Sequence, residues 1–336
     1  MHQYIDRASG GVVTERLFGD RVVRFLYSSA REHAPTVFRW LTGRRTSALL
    51  AFLHFDARLS ASLLGNRAFL RRCGMDLAEC VEPPAHFTTP RRIFERRIRY
   101  WECRPLPEDP AWVVAPADAR AAVGSLAPGA PLFLKGKFFE LDELFGPPGG
   151  RWTDRFRAGD FAIFRLTPDR YHWNHVPVSG EVVDFYELGG ALHACNPSAV
   201  IELATPYSKN RRAITVIDSD VAGGSQVGLL AMVEVAALMV GDVVQAYSAE
   251  RYEAPRPVAP GLRVERGQPK SFYRPGSSTD LLLFEPGRVR FAPDLLAHAS
   301  RSDVRSRFSA AFGRPLVEVD VRVRSPLAVR ARGEDA

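Results

Sequence analysis

Residues 275–287 read Pro-Gly-Ser-Ser-Thr-Asp-Leu-Leu-Leu-Phe-Glu-Pro-Gly. A short apolar run, Leu281-Leu282-Leu283-Phe284, stands between a polar loop and a Pro-Gly turn. The same texture recurs through much of the chain: Trp112-Val113-Val114, Leu132-Phe133-Leu134, Phe161-Ala162-Ile163-Phe164, Val182-Val183-Asp184-Phe185 and Ile214-Thr215-Val216-Ile217. Short apolar runs at close spacing, separated by Gly and Pro, read as a mostly antiparallel β domain.

The N-terminal part reads differently. From residue 14 to about 80 the apolar spacing is helical. Phe18, Val22 and Phe25 recur at i, i+4 and i+7; Leu49, Phe52 and Leu53 begin a second stripe, continued by Leu59, Leu63 and Leu64. Arginines border these stripes (Arg21, Arg24, Arg39, Arg44, Arg45, Arg71, Arg72). Such a helix can lie in a membrane interface or pack on the protein's own core. Pro83-Pro84 breaks the pattern, the basic stretch Arg91-Arg92-Ile93-Phe94-Glu95-Arg96-Arg97 follows, and Pro105 and Pro107 mark a boundary. The expected fold is α+β: a helical, basic region over 1–104 and a mostly antiparallel β core over 105–330, with a charged tail after Val323.

Charge follows this division. Of 45 basic residues only Lys135, Lys137, Lys209 and Lys270 are lysine. Residues 1–104 hold 18 Arg against 10 Asp/Glu, an excess of +8, and the remainder holds 27 basic against 28 acidic residues. A basic segment is drawn to an anionic membrane face or to nucleic acid; a solvated helical surface is the plainer alternative. No aromatic-interleaved basic motif supports nucleic acid. Cys73, Cys80, Cys103 and Cys195 form no C-x-x-C pair, and the first residues lack an apolar leader, so free thiols in a cytoplasmic setting are expected. Val227–Val244 carries Glu234 mid-span and reads as buried strand rather than a bilayer span.

Three features could carry chemistry. His172 and His175 lie in Tyr171-His172-Trp173-Asn174-His175, beside a Thr167-Pro168-Asp169 turn. An H-x-x-H pair needs further ligands to hold a metal, and no neighbouring cluster supplies them, so no metal is expected. Acid–base work suits the pair better. Asp118, ending Ala115-Pro116-Ala117-Asp118, could orient a histidine or simply form a turn. Gly276-Ser277-Ser278 could be a loop bonding its own backbone or could hold a nucleophile. No P-loop, dinucleotide fingerprint or G-x-S-x-G elbow is present.

Taken in order, these elements resemble the phosphatidylserine decarboxylase family over nearly the whole chain. Thr167-Pro168-Asp169-Arg170-Tyr171-His172-Trp173-Asn174-His175-Val176-Pro177-Val178-Ser179-Gly180 is similar to the family run Ser/Thr-Pro-x-Asp-Tyr-His-x-x-His-x-Pro-x-x-Gly, with Asp and Arg exchanged before the tyrosine. Pro116-Ala117-Asp118, Lys135-Gly136, Asn196-Pro197 and Gly287 fall where the family has counterparts, and Tyr4, Asp6-Arg7, Glu15, Gly19 and Tyr27-Ser28-Ser29 resemble one of its subgroups. The departures are Asn210-Arg211-Arg212 for Asn-Glu-Arg, a changed glycine-rich segment at Met232–Asp242, and one extra residue between Gly276-Ser277 and Phe284.

The resemblance implies a self-cleaving enzyme that makes a pyruvoyl cofactor from its own serine. His175, oriented by Asp118, would take the proton of Ser277, which attacks the carbonyl of Gly276 and turns the peptide bond into an ester. Elimination and hydrolysis, with loss of ammonia, would leave a pyruvoyl group, a large subunit 1–276 and a small subunit 277–336. Ser278 is the alternative serine. The ketone would take up a substrate amine and accept the electrons released with CO2, with His172, or else His175, returning a proton. The implied substrate is phosphatidylserine on the cytoplasmic membrane face, which favours the membrane reading of the +8 region. Two alternatives stay open: a soluble relative acting on a free amino acid, and an unprocessed binding or scaffold relative.

Overall fold

The computed structural model describes residues 1–17, 20–34, 36, 38, 43, 46, 49, 52–56, 75–128, 138–238, 242–276 and 278–331. Sixteen strands, numbered in chain order, form three sheets among them. The main sheet has ten strands. Across it run β11 (Arg263–Val264), β7 (Gly180–Leu188), β8 (Arg212–Asp218), β9 (Leu229–Ala236), β13 (Ser278–Phe284), β5 (Asp160–Leu166), β4 (Ala119–Ser125), β15 (Val319–Val321), β1 (Gln3–Asp6) and β2 (Val12–Thr14). Two three-stranded sheets complete the fold: β10 (Val243–Gln245), β12 (Pro269–Tyr273) and β6 (Trp173–His175); and β14 (Val289–Phe291), β16 (Pro326–Arg330) and β3 (Trp112–Val114). Every strand pair is antiparallel except β1 with β15. The expected α+β class, with a mostly antiparallel core, is what the chain adopts.

The centre of the main sheet is covered on both sides, which explains why its strands are apolar runs rather than alternating ones. Successive side chains of a strand point to opposite faces. On β13, Leu281 and Leu283 join Phe145, Phe156, Val200, Tyr207 and Phe308 in a helix-side core. Leu282 and Phe284 join Val176, Val178, Tyr273 and Leu327, carried by or next to the small sheets, in the opposite core. All seven residues of β13 are buried. By the same alternation Ser278 and Asp280 share the face of Leu282, toward the small sheets.

The N-terminal region departs from the expected division. Residues 3–6 and 12–14 are strands of the main sheet, not part of a separate helical unit, because β1 pairs with β15. Nor does the packing break at residue 104: Ile98 and Tyr100 share a core with Tyr171, Trp173, Tyr252 and Val323. Helical turns do occupy Asp20–Phe25, Leu26–Ala30, Arg31–His33 and Phe52–Asp56. Tyr27 anchors the first group, packing with Phe38, Ala199 and Leu203 and accepting a hydrogen bond from the Ala194 amide at 2.7 Å. The expected stripe residues Phe25, Leu49 and Phe52 are 61%, 56% and 56% exposed. Phe18, Leu59, Leu63, Leu64 and Lys135-Gly136 lie outside the described residues. Val227–Val244 includes the buried strand β9, and no helix among the described residues is long and apolar enough to cross a membrane.

A buried ion network ties the chain's two ends together. Arg165 on β5 pairs with Glu318, and with Glu15 at 2.7 Å, while the His2 imidazole lies 2.9 Å from Glu318. Burial pushes the Glu318 carboxyl up, but Arg165 and His2 overcome it and hold the pKa at about 2. Removing one partner of such a network strands the rest uncompensated. Arg165→Met is therefore expected to lose about 3–5 kcal/mol in urea unfolding, and adding Glu318→Gln should recover part of it; an unchanged midpoint would show that the network contributes nothing.

Candidate active site

The two motif histidines are carried by β6 and the turn before it, in the small sheet facing β13. His172 is fully buried. Its ring lies on Phe94, with centroids 3.6 Å apart at 27°. Nδ1 is 2.8 Å from the Arg170 carbonyl, which can only accept, so Nδ1 carries the hydrogen and Nε2 is left with its lone pair. Nε2 is buried and has no hydrogen-bond partner among the described residues. Burial, with the Arg96 charge, lowers the His172 pKa to about 3.

His175 is held on both sides. Nδ1 donates to the Gly267 carbonyl at 2.8 Å, so Nε2 accepts from the Tyr171 hydroxyl, also at 2.8 Å. The Tyr252 hydroxyl gives its hydrogen to the Ile98 carbonyl and lies 2.7 Å from the Tyr171 hydroxyl, so the single Tyr171 hydrogen is shared between His175 Nε2 and Tyr252. Burial lowers the His175 pKa to about 3 as well. Both imidazoles are thus neutral at physiological pH.

Asp118 is not hydrogen-bonded to His175, contrary to expectation. Its carboxylate accepts from Arg104 at 3.2 and 2.8 Å and from the Val323 amide at 2.8 Å. Burial would raise its pKa, and Arg104 instead holds it below the usual carboxylate range. Asp118 reaches His175 only as a charge that favours the imidazolium. The atom that orients His175 is the Gly267 carbonyl.

Ser277 lies outside the described residues. Its neighbours on both sides are described. Gly276 is buried with φ of +150°, a conformation that favours glycine. Ser278 opens β13, opposite Leu166 of β5 and Ala236 of β9, and from there to Phe284 the pairing runs without a bulge on either edge. The Ser278 hydroxyl is buried and unpartnered among the described residues, as is Asp280 Oδ2 on the same face, whereas Thr279 points to the opposite face, beside the Cys195 thiol and the Tyr207 hydroxyl. Buried polar groups without partners are rare, and two on one face of a strand end mark a place where polar atoms are kept for something other than the fold.

With this geometry in hand, the chain can be compared with known proteins. A profile of the phosphatidylserine decarboxylase family matches residues 91–308. The chain belongs to that family. It is 27% identical over 313 residues to a phosphatidylserine decarboxylase proenzyme of Chlamydia trachomatis serovar L2, covering 93% of this chain and 96% of the relative. A proenzyme of the same name from Chlamydia pneumoniae is 29% identical over 298 residues (88% and 91%), and one from Bordetella petrii is 32% identical over 237 residues (66% and 78%).

The family's motif spacing flagged His172, His175 and Asp118 but not their partners. Arg104 stands 14 residues from Asp118. Tyr252 stands 81 residues from Tyr171. Nothing local signals either contact. Glu234, noticeable only as a charge in an apolar run, is fully buried, with Lys270 at 2.8 Å and Asn174 at 3.1 Å as partners. Asn196 caps the helix Pro197–Glu202. Elsewhere, His2, Glu15 and Glu318 are close enough to hold a metal ion, but Arg165 pairs with both carboxylates.

The depressed histidines set a sign for stability. Unfolded, each imidazole takes up a proton near its ordinary pKa of 6.5; folded, it does so only near 3. Protons therefore bind the unfolded chain preferentially in this window, and stability falls as pH drops below 6.5. Urea midpoints should decline from pH 7.5 to pH 5, and His172→Asn should flatten the decline; a midpoint that rises on acidification would contradict the burial of neutral rings.

Proposed function

We propose that this chain is a phosphatidylserine decarboxylase proenzyme: a carboxy-lyase that cuts itself at Gly276-Ser277 and then converts phosphatidylserine to phosphatidylethanolamine with release of CO2. The observation that carries this reading is the juxtaposition at the start of β13. A buried glycine in a conformation suited to glycine precedes the serines, the buried, unpartnered Ser278 hydroxyl lies on the β13 face toward the small sheets, and Tyr273 of the sheet that bears the two neutral histidines bonds both the His172 carbonyl and the start of β13. Neutral imidazoles are the form that can accept a serine proton. Family membership supports the same chemistry, and the word proenzyme in the relatives' names supports self-processing of those proteins.

The residues divide the work. His175 is the base for scission; because Nε2 meets the Tyr171 hydroxyl, a serine proton reaches it through Tyr171 or after that hydroxyl has turned away. His172, with its open Nε2, takes and returns a proton during turnover. Asp118 supplies a negative charge that favours protonation of His175. The pyruvoyl group made from the serine would supply the electron sink for decarboxylation. Its surroundings fit: the Ser278 hydroxyl and Asp280 Oδ2 on the small-sheet face of β13, and His172 Nε2 in the segment before β6, are buried and without partners among the described residues. His175→Ala is expected to leave the chain uncut, and His172→Ala to be cut but to turn over at least about a hundredfold more slowly. The opposite pattern would exchange the two roles.

A specific observation favours a second reading of the cut bond. Uninterrupted pairing from Ser278 to Phe284 supports placing this chain's extra residue before Ser278, in which case Ser278 would be the attacking hydroxyl. Intact-mass spectrometry separates the two, since the small fragment begins at 277 or at 278. Ser277→Ala should stay uncut in the first case and Ser278→Ala in the second; a wild-type chain that persists whole would overturn the proposed function.

The exposed Phe25, Leu49 and Phe52, in a segment with an excess of positive charge, support docking on an anionic membrane, with phosphatidylserine drawn from the cytoplasmic face. Co-sedimentation with phosphatidylserine vesicles should weaken at least about tenfold in a Phe25→Glu/Phe52→Glu variant. Equal binding of both proteins, with turnover of free amino acid, would favour a soluble relative instead.

A further inference from the structure

Tyr273 is the last residue of β12, a few residues before the scissile bond, and it is fully buried. Its backbone amide donates to the His172 carbonyl at 3.0 Å. Its side chain reaches the other way: the hydroxyl lies 3.1 Å from the Thr279 carbonyl and 2.6 Å from Asp280 Oδ1, so its hydrogen is shared between two acceptors on β13. Before scission these are contacts within a loop, six and seven residues apart. After scission they join two separate chains, because Tyr273 ends up on the large subunit while Thr279 and Asp280 lie just inside the new end of the small one.

We propose that Tyr273 is a positioning residue: its hydroxyl clasps the first residues of the small subunit after the cut and holds the new chain end in register with His172. The clasp rests on the proposed scission but not on which serine is used. A strand end released from its tether frays, since terminal residues keep only their ladder hydrogen bonds. Here one side chain restrains the freed strand through a backbone atom and a side-chain atom at once, while its own amide fixes the histidine segment. Burial and the neighbouring Glu234 charge push the Asp280 carboxyl well above its ordinary range, so it stands as a neutral partner. A carboxamide would serve equally well as acceptor, which gives the inference a sharp control.

Hydrogen exchange followed by mass spectrometry, on the full chain, tests it. In the cut protein, Tyr273→Phe should speed amide exchange over residues 278–281 by about tenfold, the effect of losing one buried hydrogen bond. In an uncut Ser277→Ala/Ser278→Ala background, where the segment is tethered at both ends, the same substitution should change exchange by less than about twofold. Asp280→Asn should exchange like wild type, and Asp280→Leu, which keeps Tyr273 but removes one acceptor, should loosen the strand in the same direction as Tyr273→Phe. Turnover by Tyr273→Phe should fall in kcat with little change in KM. Equal acceleration in cut and uncut backgrounds would make the hydroxyl an ordinary fold contact and overturn the clasp; so would unchanged exchange in the cut Tyr273→Phe protein, or loosening by Asp280→Asn as large as by Asp280→Leu. A wild-type chain that is never cut is recognised by mass before any exchange is measured, and it removes the proposed function and the clasp together.

Discussion

β13 is a seven-residue strand that bonds along both edges, to β9 and to β5, and is buried on both faces. It begins just after the Gly276-Ser277 bond proposed for scission, and its last residue, Phe284, is packed in the core. A chain cut at the start of this strand therefore cannot come apart easily. The segment after the cut also supplies β15, seated between β4 and β1, and β16, seated between β14 and β3. The segment after residue 277 is woven into two sheets, so the proposed scission would open the backbone at one bond while hydrogen bonds and apolar contact preserve the fold. The same burial gives the site its electrostatics, since it keeps His172 and His175 neutral.

The ends of the molecule serve that strand. β1 pairs with β15, and the Arg165–Glu318–Glu15 network fixes both to β5, the neighbour of β13. A buried ion network of this kind is a costly way to gain stability, but it sets which strands meet. The helical turns after β2 are held by Tyr27 on one side and leave Phe25 open on the other.

Much of this was legible in the residues, and what was not shares one cause. Leu281–Phe284, Phe161–Phe164 and Ile214–Ile217 announce strands because a sheet covered on both faces needs continuous apolar runs. His172 and His175 sit three residues apart, and their closeness in the chain puts both in or beside β6. The strands at residues 3–6 and 12–14 were not legible: Gln3-Tyr4-Ile5-Asp6 has one strongly apolar residue, and its pairing with Val319 and Asp320 is a contact between opposite ends of the chain. The spacing of Asp118 suggests a partner in His175 or a turn, whereas its carboxylate is bound by Arg104 and the Val323 amide, which reach it only once the fold has formed. Nothing in the sequence near the Gly-Ser motif singles out Tyr273 or Asp280. Their contact depends on the turn between β12 and β13, and no periodicity encodes it.

If the serine at the head of β13 becomes a carbonyl that engages the amine of phosphatidylserine, borohydride will trap the two together. The purified chain is incubated with phosphatidylserine vesicles and borohydride, and the denatured products are weighed. Two fragments are expected, with the phospholipid amine reduced onto the N-terminus of the small one and nothing on the large one. A single intact chain, or a small fragment that starts with an unmodified serine and carries no adduct, would contradict that conversion.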